Sequence, residues 1–376
     1  MVRGVHLTLM IGPGVPLPVS KDVIDALQSV EVTTSTEGPS VFQLSFKLST
    51  RSPLHTIFLL SGGSTPIPLV RVVIIATVRG SPEVLIDGIL TNHEVSPGDT
   101  PGEALLTMTG EDLTKVMDWI PLDGLPYPAM PPAARVLLAL AKYAVLGVVP
   151  MVIPSVLIDV PIPVERIPRH KGTDLSYIKA LADEVGYVFY IDPGPQPGMS
   201  VAYWGPEFKV GAPQPALNLD MDAHTNVESL SFNFDSEERK LPVVFIHEPI
   251  SKAPILIPVP DITPLNPPLG AVPPIPKGIE PIRGTGKYSP VRAALIGLAK
   301  AAKSSDALRG TGSLDVMRYG RVLKARRLVG VRGAGLAFDG LYYVASVTHS
   351  IRRGEYKQNF TLVRNGLLST VQRVPA

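Results

Sequence analysis

Three short patterns recur in the same order near the two ends of this chain. "LSFKL" (Leu44–Leu48) is matched by "LSFNF" (Leu230–Phe234), each alternating apolar and polar residues at the period of a half-buried strand. "VRG" followed by "DG" stands at Val78–Gly80 and Asp87–Gly88, and again at Val331–Gly333 and Asp339–Gly340. A His-x-aliphatic step comes next, at His93/Val95 and at His349/Ile351. Each copy then closes on a strand-like run ending in glycine, "ALLTMTG" to Gly110 and "FTLVRNG" to Gly366. Any one of these matches is of chance frequency; the shared order is not. Arg-Gly and Asp-Gly steps are favourable turn chemistry, because glycine takes positive φ without a Cβ clash. The repeat therefore constrains the chain to two similar small antiparallel β-domains.

The expected fold class is α+β, mainly β. One β-domain covers 1–111, a helix-containing middle domain 112–225, and a second β-domain 226–376, with an insertion at about 248–313. In the middle, "PAARVLLALAKYAV" (132–145) reads as a helix, and so does "GTDLSYIKALADEVG" (172–186). The latter has Thr173 as N-cap, an apolar stripe of Leu175, Ile178, Leu181 and Val185, and Gly186 as its stop. "YVFYI" follows as a strand. The insertion carries a helix signalled by Ser289, Pro290 and a closing Gly310. It also carries "PISKAPILIPVPDITPLNPPLGAVPPIPKGIEPI" (249–282), rich in the chain's 40 prolines. That tract has no helical period and its prolines cannot donate to a central sheet. Extended, partly polyproline-II chain is expected there, either as a linker or docked on a partner through Ile255, Leu256, Ile257 and Val259.

Composition narrows the function classes. Charge is balanced, 35 Lys+Arg against 33 Asp+Glu, so the chain as a whole has no drive toward nucleic acid or anionic membranes. The chain has no cysteine, which rules out disulfides, thiolate metal sites and a cysteine nucleophile and suits a cytoplasmic site of synthesis. A mean hydropathy of +0.22 is high. Yet the longest charge-free apolar stretch, 143–158, is broken by Pro150 and Pro154 and falls short of the roughly 20 residues of a spanning helix. No signal peptide is expected at the N-terminus. The surplus apolar surface points to burial between subunits.

A search for chemistry leaves no catalytic, cofactor or metal site. "RGTGKYS" (283–289) lacks the first glycine and the closing Ser/Thr of a phosphate loop, and it follows proline-rich chain rather than a strand. "GVRGAG" (330–335) has the wrong glycine spacing for a dinucleotide loop. Asp222 and His224 would share one face of a strand, but nothing nearby supplies a third metal ligand. The repeated positions of His93 and His349 argue for hydrogen bonding at strand ends. A basic run containing Arg318, Arg321, Lys324, Arg326, Arg327 and Arg332 alternates partly like a strand; it is a solvated face or a channel wall.

With these features assembled, the chain resembles the baseplate hub proteins of contractile phage tails and injection systems, the late-control-D/VgrG-like hub family. The similarity rests on "GTDLSYIKALADEVGYVFYIDPG" (172–194), "ESLSFNFDSEERKLPVVFI" (228–246) and the closing hairpin. In that hairpin Gly340, Tyr342, Val344, Val347, His349, Ile351, Tyr356, Phe360, Leu362 and Arg364 stand at the family's positions. The resemblance implies two β-barrel-like tube domains per chain. It also implies a homotrimer whose six units form a pseudo-six-fold ring between an inner tube protein and a three-fold spike. About ten residues follow Gly366, so a separate spike protein is expected, and the 249–282 tract is a candidate contact with neighbouring baseplate components. After synthesis in the cytoplasm, the chain would join a phage-tail-like particle. The rival readings are a tail-associated wall hydrolase using acids such as Asp174, Asp183, Glu184 and Asp192, and a stand-alone binding module.

Overall fold

A computed structural model describes residues 4–48, 69–98, 103–155, 167–235, 240–247, 254–258, 267–282, 296–297, 306–371 and 374. Alternating apolar residues build the strands at both ends. The first region holds β1 (Val5–Pro13), β2 (Leu17–Pro18), β3 (Leu27–Ser35), β4 (Val41–Leu48), β5 (Val70–Val78), β6 (Ser81–Pro97) and β7 (Ala104–Asp112). In the middle lie β8 (Val148–Val152), β9 (Val188–Pro193) and β10 (Ser200–Gly205), followed by β11 (Gln214–Asn218) and β12 (Ser229–Phe234). The insertion contributes β13 (Lys240–His247), β14 (Pro254–Pro258), β15 (Gly270–Val272) and β16 (Gly278–Ile282). The chain closes with β17 (Leu308–Asp315), β18 (Leu328–Arg332), β19 (Gly340–Arg352), β20 (Glu355–Arg364) and β21 (Leu367–Ser369).

One 13-stranded sheet crosses both ends of the chain. Its path is β12-β17-β20-β19-β3-β4-β7-β6-β5-β1-β2, with β18 beside β19 and β11 beside β18. The first eight strands of that path are one four-strand order used twice: β12-β17-β20-β19, then β3-β4-β7-β6. Matching irregularities tie the copies together. The β6·β7 register slips between Leu90 and Asn92, and the β19·β20 register between Val344 and Ser346, so Thr91 and Ala345 are equivalent extra residues. With these aligned, the pairings match Val72 of β5 to Val329 of β18, both fully buried, and Val32 of β3 to Phe232 of β12. Both units share a continuous core that includes Val32, Leu44, Ile74, Val329, Val344 and Leu362.

This topology corrects several expectations. "LSFNF" is in β12, which takes the place of β3; the counterpart of β4 and its "LSFKL" is β17, on the far side of the insertion. Gly310 does not end a helix. It sits inside β17, where an added Cβ would lie 3.0 Å from the Phe232 ring. The rest of that expected helix lies largely outside the described residues, as does "RGTGKYS". The proline-rich tract is partly strand: β14 and β16 flank β13, and β15 pairs with β21 of the chain's own C-terminal segment. The insertion also begins before residue 248, since β13 already belongs to its separate sheet.

In the middle, helices Pro132–Ala141 and Asp174–Val185 pack on the β8-β10-β9 sheet around Val136, Leu140, Ile178, Leu181 and Trp204. Thr173 caps the second helix by accepting from the Ser176 amide, and Gly186 ends it at φ +73°. The first helix gives way to a 3-10 turn (Lys142–Leu146) after Ala141. β11, from the interval read as the middle domain, instead pairs in parallel with β18.

Candidate functional site

The seam between the two β-units is the most telling part of the molecule. β3 and β19 pair antiparallel over seven positions, from Ser35 opposite Ser346 to Ser29 opposite Arg352. Val30, Val32 and Val347 are buried on its core side. On the other side the Thr33 and Thr348 hydroxyls meet at 2.9 Å, 315 residues apart in sequence. Nothing local in either strand marks it for the other; the alternation only makes each a strand with one buried face.

Arg326 locks this seam to the middle region. Its amide donates to Val344 O at 2.8 Å, one Nη donates to Asp192 Oδ1 at 2.5 Å, and the other donates to Ser35 O at 2.5 Å. The guanidinium lies 4.2 Å from the Tyr190 ring centroid, and its side chain is only 6% exposed. Burial pushes the Tyr190 hydroxyl up to about 12. A planar, permanently charged group satisfied by a carboxylate, a carbonyl and a ring face suits this three-way position better than lysine would.

The other basic residues do not form the expected strand. Val316–Tyr319 is one helical turn, residues 320–327 are connection, and only Leu328–Arg332 is strand. Lys324 pairs with Glu83 at 2.6 Å, and Arg332 donates to Val374 O. Arg318, Arg321 and Arg327 are exposed. Half of the set therefore holds the chain to itself.

The repeat-signature residues also separate. Asp87 and Gly88 are not a turn; they lie inside β6. Asp87 is buried against Arg71, with Nε–Oδ1 at 2.7 Å and Nη2–Oδ2 at 2.6 Å. The turn between β5 and β6 is made one step earlier by Arg79 and Gly80, both at positive φ. Asp339 does stand at a turn, accepting from the Ala334 amide at 2.8 Å, and Gly340 opens β19 at φ +133°. Tyr342 donates to Phe338 O at 2.6 Å beneath the Arg364 guanidinium. His349 is buried and shares a 2.9 Å hydrogen bond with Tyr356, while Gln358 bonds both backbone groups of Leu323. Burial drives the His349 imidazole down to about 3, so it is neutral. His93 is exposed, and bulge alignment puts Val95 rather than His93 opposite in role to His349. Asp222 and His224 lie in an exposed 3-10 turn, not on a strand, and among the described residues no three His, Asp or Glu gather as a metal site.

Two anchors were missed by the sequence reading, Arg71–Asp87 and Asp112. The signal was present: single charges of opposite sign interrupt the apolar runs of β5 and β6, which is how a buried ion pair reads in sequence. Hydroxyl pairs like Thr33–Thr348 recur on the same face of the sheet between β12 and β17. Ser229 meets Ser313 at 2.9 Å, and Ser231 meets Thr311 at 3.1 Å. Such cross-strand pairs stabilise a sheet while leaving its face hydrophilic, here with charges between them: Glu31 and Lys357 both stand opposite Ser350.

No family model matches the chain, and no curated protein matches it in sequence. Solved structures do. A tail protein from Neisseria meningitidis MC58 superposes with a TM-score of 0.63 at 14% identity, covering 97% of this chain and 98% of its own. The fold is that of a phage tail protein. The 43 kDa tail protein of prophage MuSo2 from Shewanella oneidensis gives 0.62 at 14% identity, with 96% and 98% covered. The E. coli c3393 protein, described as a type VI secretion component structurally similar to T4 tail proteins gp27 and gp5, gives 0.52 at 12%, covering 93% and 78%.

Proposed function

We propose that the chain is the structural hub of a contractile-tail or injection-system baseplate, without catalytic activity. In this reading three copies form a pseudo-six-fold ring, the inner tube stacks on one side of it, a separate spike protein seats on the other, and the ring frames the channel. The observation that carries the proposal is the seam. A chain whose two β-units already continue as one sheet is a two-unit arc, and three such arcs supply six units. The hydrophilic face, hydroxyl pairs interspersed with charges such as Glu31 and Lys357, suits the wall of a solvent-filled channel. The proline-rich insertion pairs with the chain's own C-terminal strand through β15, and Ile275 and Ile279 remain exposed for a neighbouring baseplate component.

Native mass by light scattering, with the chain alone and then with its tube and spike proteins, tests this. A trimer with a central hole in negative-stain images is expected. A monomer in all three conditions sinks the hub reading, as does robust turnover of peptidoglycan.

A further inference from the structure

Among the described residues the first β-unit does not close between β1 and β3, and the gap holds a cavity. β1 follows β5 along its whole length, whereas its other edge meets only β2, at Met10 and Ile11. The Arg79 amide donates to Gly4 O, so the alternation of an antiparallel pair turns the amides and carbonyls of Val5 and Leu7 away from β5. Their side chains, with Leu27 and Ile351, are almost fully buried and floor a cavity of about 270 Å³. Arg352 and Arg353, from the β19–β20 hairpin, line the same cavity, as does Asp25 of the helix Lys21–Ala26. Arg353 donates to Asp25 O at 2.5 Å, a carbonyl rather than a carboxylate, and Arg352 makes no hydrogen bond or ion pair among the described residues. We infer that this gap binds the free C-terminus of a partner chain. The last residue's apolar side chain fills the cavity, its carboxylate meets the two arginines, and the main chain before it adds to the open edge of β1.

Size, charge and the second unit all favour this occupant. The cavity is smaller than the roughly 300–1,000 Å³ of a small-molecule site, so it suits one large side chain rather than a whole ligand. Guanidinium groups bind a carboxylate through short charge-assisted bonds, and two of them share this mouth with one acid. The Asp25 charge opposes a strongly acidic segment but tolerates a single carboxylate, and it can accept from a peptide amide. A C-terminal residue carries an apolar side chain and a carboxylate on the same carbon, so one residue uses both halves of the site. An internal leucine brings only the first, and an internal aspartate only the second. Adding a strand to an open edge, with a pocket for a chosen side chain, is an established way to hold an extended peptide. The second unit fills the corresponding edge from within. There β11 takes the place of β1, and Asn226 donates to Ala216 O at 2.9 Å while accepting from the Asn218 amide at 2.7 Å. The pocket belongs to a single chain, so the inference does not rest on the hub reading.

Fluorescence anisotropy of short labelled peptides against the full-length chain tests this. The probes are fluorescein-Gly-Ser-Gly-X, with X as Leu, Ile, Val, Phe or Met, each made with a free carboxylate and as the C-terminal amide. At least one free-acid peptide should bind, and its amide should bind at least about ten-fold more weakly, the usual worth of a hydrogen bond to a charged group. Replacing X by glycine should weaken the free acid by a similar factor, since the cavity is then left unfilled. Arg352 has no partner to lose, so Arg352→Ala should fold normally, weaken the free acid about ten-fold and leave the amide unchanged. Arg318→Ala, at an exposed arginine elsewhere, should change neither. Equal binding of acid and amide, or binding that Arg352→Ala leaves intact, overturns the inference. So does a preference for an amidated peptide with an internal aspartate, which would make the pocket a site for an acidic loop. If no peptide of the set binds up to about 1 mM, the inference falls as well.

Discussion

The two β-units share strand order and core but cover their outer layer with opposite chemistry. At three equivalent positions the first unit has Arg71, Asp87 and Ile89, and the second has Leu328, Leu341 and Tyr343. In the first, the buried Arg71–Asp87 pair reaches into the middle region: Ser200 Oγ donates to Asp87 at 3.2 Å, and Arg71 donates to Gly198 O at 3.0 Å. In the second, Leu269 of the insertion packs on Leu328, Tyr343 and Val363. The end of the next strand repeats the contrast. Asp112 accepts from the Ser40 amide and from both the amide and hydroxyl of Thr114. Its counterpart Arg364 donates to the carbonyls of Gly366, Asp339 and Ala337. A carboxylate collecting donors and a guanidinium collecting acceptors close the same corner. The fold prescribes that these sites be buried and satisfied; it does not prescribe the sign of the charge, or that there be one.

Breaking the ion pair has the largest expected effect. Asp87→Ala leaves Arg71 buried and unpaired, costing about 3–5 kcal/mol. Converting the site to the second unit's solution, Arg71→Leu with Asp87→Leu, removes both charges and should cost far less, within about 2 kcal/mol. Urea unfolding of the single and double variants reads the difference. If the double variant is as damaged as the single one, the two covers are not interchangeable and the bonds to Ser200 and Gly198 matter more than the pair.

The next contrast is His349 against Val95. His349 titrates at about 3 when folded and near 6.5 when unfolded, so between those values the unfolded chain binds more protons. Stability therefore falls on acidification through that window, by up to about 1.4 kcal/mol per pH unit. Asp112 works the other way, because burial raises its carboxyl and acid relieves the cost of its charge. His349→Val separates the two: it lowers stability at neutral pH by losing the Tyr356 bond, yet flattens the loss below pH ~6.5. An unchanged acid slope would mean that other groups set it.

How much of this could be read from the sequence follows from range. Local codes were legible: the Thr173 and Gly186 caps, the terminal β19–β20 hairpin, the Arg79–Gly80 turn, and the doubling itself. Asp87–Gly88 misled because a short dipeptide code cannot distinguish a turn from a buried charge in mid-strand; the partner that decides it, Arg71, is on another strand. The two "LSF" runs misled for a related reason. Any strand with one buried face can carry that alternation, and the true partner of β4 was displaced behind the insertion. The seam itself joins residues more than 300 positions apart and leaves no local trace.

The smallest expected effect is also the one that best separates the closed seam from the open edges. Thr33 shares a hydroxyl bond with Thr348 at the seam, and Asn233 holds the equivalent position on β12. Valine keeps the β-branched shape of threonine and loses only the hydroxyl. Thr33→Val should therefore lower the unfolding stability of the chain by about 0.5–1.5 kcal/mol and leave its native mass unchanged. Asn233 sits on an edge that has no partner strand among the described residues, so Asn233→Val should leave unfolding within about 0.5 kcal/mol. If the proposed ring forms through this edge, its effect should instead show in assembly, as a shift in the concentration at which native mass rises. If the two variants behave alike in both measurements, the open edge is not a copy of the seam, and the doubled strand order describes the fold of one chain without describing how chains meet.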